Sequence, residues 1–246
     1  MKPLSQYLPL FFPARLPKYA RNLVVFLFVT DFLFILIHTF LHGAIYLGFL
    51  PKLEVFEQFY VYKDAGYPEL FNYLKLLFIS LILIAIFMRT RVLVFLILCG
   101  CFAFALLDDS LRLHERGGGW LVENLNLPAL AGMRSQDLGE FSVFAAAGGV
   151  FGVSFAIAWL YAKSAYRKYA MVFVVQLIFL GFFAVFIDIF RRILISDSSP
   201  VLRSAMSIIE DGGEMLVTAL TCWVALSIYF HICRPPVPGV ASEQQA

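Results

Sequence analysis

The chain has 246 residues, 61% of them hydrophobic, 17% aromatic and only 15% charged, with a formal net charge of +2. A globular domain is roughly half apolar and about a quarter charged, so this composition, with a mean hydropathy of +0.83, excludes an ordinary soluble fold and indicates a membrane protein. The small net charge, with no basic run interleaved with aromatic residues, excludes nucleic acid as a partner.

The first stretch, MKPLSQYLPLFFPARLPKYARN, is interrupted by prolines and has no small-residue cleavage site before the first apolar run. It reads as a basic, aromatic interfacial segment over 1–21 rather than a signal peptide. Spanning a bilayer takes about 20 mostly apolar residues. Six segments meet that length, near 22–46, 71–88, 92–110, 138–162, 169–192 and 204–232. Between the first two, the amphipathic, aromatic outer loop 47–70 is expected to cap what lies beneath it, and 235–246 reads as a flexible tail. Without internal repeats, the economical architecture is one all-α integral membrane domain over 1–246, a six-helix polytopic bundle.

Lys2, Arg15, Lys18, Arg21, Arg89, Arg91, Lys163, Arg167, Lys168 and Arg234 fall on one side of these spans, which the positive-inside rule makes cytoplasmic, with both termini there. The other side takes Lys52, Lys63, Lys75 and the remaining arginines. It also takes every acid except Glu243 and Asp31, the latter inside span one. A bacterial inner (plasma) membrane is the expected location. Cys99, Cys101, Cys222 and Cys233 have no C-x-x-C spacing and read as small core residues.

The acids are clustered. DDSLRLHE closes span three, SQDLGE opens span four, Asp188 ends span five and EDGGE opens span six, all at one membrane depth. His38 and His42, four apart on span one, share a helical face in its outer half, and Asp31 falls on the same stripe. Crowded carboxylates at low dielectric must bind protons, pair with arginine or hold a cation. The acids of 108–140 and 188–214 outnumber the arginines there. A divalent ion with mixed oxygen and nitrogen ligands (Zn, Fe or Mn) would balance the set. The expected ligands are His38, His42, Asp109, His114, Glu115, Glu140, Glu210 and Glu214, with Glu214 as general base if the site is catalytic.

Other features have plainer readings. Asp137 suits the N-terminus of span four. Asp188, three and four before Arg191 and Arg192, suits local ion pairs. The GGG at 117–119 lacks the lysine of a phosphate loop, and Gly148, Gly149 and Gly152 are expected at a close helix contact.

The pairing of LLDDSLRLHE after an apolar span with EDGGEML opening the last one resembles a group of uncharacterised bacterial multi-pass membrane proteins, across spans two to six. The inventory is also similar to that of ceramidase-like membrane hydrolases, which place three His, an Asp and a Ser around zinc. That resemblance would draw on His38, His42, His114, Asp109 and Ser110.

The leading expectation is therefore an outward-facing carboxylate and histidine metal site, with a metal-dependent enzyme acting on a lipid-like substrate as the activity it would serve. Competing with it are a proton- or ion-coupled transporter routed through Asp31 and the acids of span six, and a non-catalytic subunit docking a membrane protein partner.

Overall fold

The computed structural model describes residues 16–129, 134–194 and 200–233. The N-terminal segment to residue 15, Asp197, Arg234 and the tail lie outside the described residues, as do the side chains of Arg192 and Cys233. Among the described residues all regular structure is helical. Six helical segments are long and apolar enough to cross a membrane.

Span one is α1, Lys18–Tyr46. A one-turn α2, Glu54–Glu57, interrupts the outer loop, and span two is α3, Tyr67–Thr90. Pro68 sits in the first turn of α3, where a missing N–H costs nothing. Helix α3 ends at Arg91, whose left-handed backbone (φ 56°) reverses the chain within two residues into span three, α4, Leu93–Leu111. A second left-handed residue, Arg112 (φ 52°), closes α4 and opens the short amphipathic α5, Leu113–Leu125. Span four is α6, Ser135–Tyr161. Span five consists of α7, Ser164–Gly181, a π-helical turn at Phe182–Ile187, and α8, Asp188–Leu194. Span six is α9, Pro200–Cys233.

Span six is the hub, packed against spans one, two and five. Half of its apolar window is buried, against 6% for span four, which is peripheral. The core gathers where spans two, three, five and six meet, around Leu83, Phe95, Leu98, Phe173, Ala219 and Ala225. Outward-facing Phe26, Phe32, Leu36, Leu81 and Ile157 leave the exterior apolar, as a lipid environment requires. Tyr19 of α1 lies edge-on to Phe230 of α9 at 5.9 Å, and Tyr169 of α7 lies 5.8 Å from His231. The start of span one, the start of span five and the end of span six therefore share one end of the bundle.

Helices α5 and α6 cross on glycines. A Cβ on Gly118 would sit 2.7 Å from the backbone nitrogen of Glu140, and one on Gly139 would sit 2.5 Å from the carbonyl oxygen of Gly118. The triple glycine of 117–119 is thus a helix-crossing device. Gly148, Gly149 and Gly152 correct the sequence expectation in the opposite sense, because a Cβ on any of them meets nothing within 4 Å.

Candidate functional site: a carboxyl-rimmed cavity

A cavity of about 530 Å³ lies among spans two to six. Its long wall is apolar, built by residues such as Leu98, Phe151, Phe155, Val174, Leu177 and Val185. Span four packs along α5 and span three but barely touches span five. The cavity fills the resulting gap, widened by the side-chain-free Gly148 and Gly152. At its lip, the apolar Ile178 is 65% exposed and Phe141 48%, so its wall continues onto the bundle's exposed apolar surface. The π-helical turn in span five supplies Ala184 and Val185 to the wall and hands over to Asp188 at the rim. Such turns recur at functional sites because the extra residue re-aims side chains.

The outer end is polar. Asp108, Asp109, His114, Asp137, Glu140 and Glu214 lie on it together with Asp188 and Asn72, and among the described residues no lysine or arginine lines the cavity. Asp108, buried at the end of α4, uses both oxygens on one residue. Oδ1 accepts the backbone N–H of His114 at 2.8 Å and Oδ2 meets its Nδ1 at 2.9 Å. The chain reverses at Arg112 so that Asp108, near the end of span three, caps the next helix and orients its imidazole. The His114 ring stacks on Phe144, centroids 5.0 Å apart. Burial favours the neutral ring, but the Asp108 bond and charge, with Glu140 and Glu115, outweigh it and hold His114 above its ordinary value.

Local pairs neutralise part of the rim. Arg134 grips Asp137 at 2.7 and 3.1 Å. Asp188 meets Arg191 at 2.8 Å, the local ion pair its spacing suggested. Glu140 accepts from Gln136 Nε2 at 2.9 Å. Asp109 and Glu214, each half-buried and facing the cavity, lie close enough for their charges to interact, and Asp211 adds to the same field. Among the described residues neither the Asp109 nor the Glu214 carboxyl has a hydrogen-bond or ion-pair partner.

Of the eight expected ligands, the cavity gathers Asp109, His114, Glu140 and Glu214. The other four are elsewhere. Glu210 is ion-paired with Arg191 at 2.7 Å, and Glu115 turns outward, 3.6 Å from Arg112. His38 and His42 do not reach the acids, because span one packs on the far side of span six and no residue of it lines the cavity. His38 Nδ1 accepts the Val61 N–H at 3.2 Å, which leaves Nε2 protonated to donate to Ser204 Oγ at 3.0 Å. Both ring nitrogens are thereby taken. His42 lies parallel to His38 with centroids 5.9 Å apart, and Tyr60 and Tyr62 stand edge-on to His38 at 5.2 and 5.5 Å. Ser110 donates its hydroxyl to Leu106 O and is exposed, so the His, Asp and Ser inventory is dispersed. Among the described residues no group of three or more His, Cys, Asp and Glu side chains is arranged to hold a metal ion.

The outer loop folds back onto the bundle. Val61 is buried on His38, Asp64 pairs with Arg112, and Glu57 bridges Lys52 and Lys63 at 3.6 and 3.7 Å. Lys75, placed with the outer charges by sequence, is instead inside the bundle. Its Nζ donates to both oxygens of Asp31 at 2.8 and 2.9 Å and to the carbonyl of Met215 at 2.8 Å. The sequence reading missed this pair and missed Asn72, whose polar side chain three residues before Lys75 on span two was the available signal.

No curated protein and no solved structure matches the chain. One family model matches residues 24–230, taking in nearly all of the six-span core described above, and on that extent the chain belongs to the family described as a domain of unknown function, DUF8692.

Proposed function

We propose that this integral membrane protein takes a lipid-like amphiphile sideways from the bilayer into its cavity and performs acid–base chemistry on the polar end. The single observation that carries the reading is the division of one cavity into an apolar wall among spans three, four and five and a rim of carboxyls and one oriented imidazole. A volume of about 530 Å³ falls within the usual range for ligand sites, roughly 300–1,000 Å³.

The chemistry follows from the Asp108–His114 pair. A carboxylate that accepts Nδ1–H fixes the tautomer and orientation of an imidazole, leaving Nε2 to exchange a proton with a bound group. Nε2 of His114 has no partner among the described residues. Glu214, on span six, is the carboxyl placed to take or return a second proton. With the cytoplasmic side assigned from Lys and Arg, the rim sits at the extracytoplasmic end of the cavity and the apolar wall runs into the hydrocarbon.

The test is occupancy. Native mass spectrometry of protein extracted from membranes is expected to show a bound amphiphile that Gly148→Phe excludes, since Gly148 lines the cavity and a Cβ there meets nothing within 4 Å. Equal amphiphile retention by the folded variant would overturn the reading.

A further inference from the structure

The uncommitted groups on the rim define the head group of the occupant. Asp109 and Glu214 come from different spans, face the cavity and have no partner among the described residues. Asn72 supplies an independent observation from a third span. It lines the cavity, is only 5% exposed, and its Oδ1 is buried without a hydrogen-bond partner. A buried acceptor left unpaired is destabilising, a deficit that a donating ligand removes. Two carboxyls and an orphaned amide oxygen are acceptors, and among the described residues no Lys or Arg lines the cavity to receive an anion.

We infer that the cavity is selective for a long-chain amine, its ammonium group held by Asp109, Glu214 and the Asn72 oxygen and its alkyl chain laid along the apolar wall. A primary ammonium carries three donors and one positive charge, matching the three acceptors. A phosphate or carboxylate head group would meet the Asp109 and Glu214 carboxyls at low dielectric with, among the described residues, only the Nε2 of His114, a ring itself tied to Asp108, as a cationic donor, and is therefore disfavoured against an ammonium. This inference rests on the amphiphile reading above and names its substrate class.

Three dodecyl probes separate the two claims: dodecylamine, dodecanol and dodecanoate, titrated into purified full-length protein and followed by native mass spectrometry. The expected result is a one-to-one dodecylamine adduct at least tenfold tighter than dodecanoate, with dodecanol between. In the double variant Asp109→Asn, Glu214→Gln the amine should lose about tenfold while dodecanol binding persists, which also shows the variant is folded. Asn72→Leu should weaken the amine more than the alcohol. If all three probes bind alike and Gly148→Phe removes them, the amine assignment is wrong and the cavity reading stands. If none binds the wild type, both fall. Stoichiometric Zn²⁺ or Mn²⁺, retained through chelator dialysis and lost in the double variant, would assign the carboxyls to a metal and overturn the inference.

Discussion

Lys75 and Asp31 form a fully enclosed ion pair, 1% and 0% exposed, that ties span two to span one, while the third ammonium proton binds the Met215 carbonyl of span six. Asp31 lies about 20 Å along α1 at 1.5 Å per residue, close to the middle of the helix. With Lys75 using all three donors and Asp31 wholly buried, the pair joins three spans.

Breaking such a pair from one side leaves an uncompensated buried charge and costs about 3–5 kcal/mol. Lys75→Met and Asp31→Asn are each expected to lower stability by that order. The double variant should recover a substantial part. Unfolding titrations in mixed micelles measure all four proteins, and strictly additive losses in the double variant would show that the charges do not act as a pair.

The outer loop is pinned by His38. Replacing it with alanine leaves the Val61 N–H buried and unpaired, at a cost of about 1–3 kcal/mol, and removes the ring against which Tyr60 and Tyr62 pack. Hydrogen–deuterium exchange at residues 59–63 should rise sharply in His38→Ala and less in Ser204→Ala, which removes only the Nε2 partner. Unchanged exchange at Val61 would dismiss the latch.

Stability should vary with pH through His114. Its folded value is raised above the ordinary 6.5 because Asp108, Glu140 and Glu115 outweigh the burial that opposes protonation. The imidazolium is then more stable in the folded chain than in the unfolded one. That stabilisation is complete below the unfolded value and is lost as pH rises through the folded one. Melting midpoints are expected to fall from mildly acid to alkaline pH in wild type. The slope should flatten in Asp108→Asn and in His114→Gln, and an identical slope in all three would remove His114 as its source.

Glycines in two places should respond with opposite signs. Gly139→Ala drives a Cβ against the Gly118 backbone, and overpacking of this kind costs about 1–3 kcal/mol. Gly148→Ala and Gly152→Ala meet open space, so each should stabilise its helix by about 0.8–1 kcal/mol. Thermal denaturation distinguishes them, and a destabilising Gly148→Ala would mean that span four packs more closely than described.

The six-span helical architecture was legible in the residues alone, because lipid leaves a long apolar segment no backbone partner but its own helix. Span ends shifted by a few residues, as in α6, which starts at Ser135 rather than near 138, since polar first turns carry no hydropathy signal. The local pair Asp188 and Arg191 was also readable, because helical spacing alone brings those groups together.

Which acids share a site was not readable. Periodicity states which face of a helix a residue occupies but not which neighbour that face meets, and the order of spans around span six decided the rest. That order sent His38 and His42 to the outer loop, drew Lys75 inward to Asp31, and set Asp109, His114, Glu140 and Glu214 around one cavity. Hydropathy therefore determined that the chain is a membrane bundle with acids at one end. Packing between helices distant in sequence decided which of those acids share one cavity.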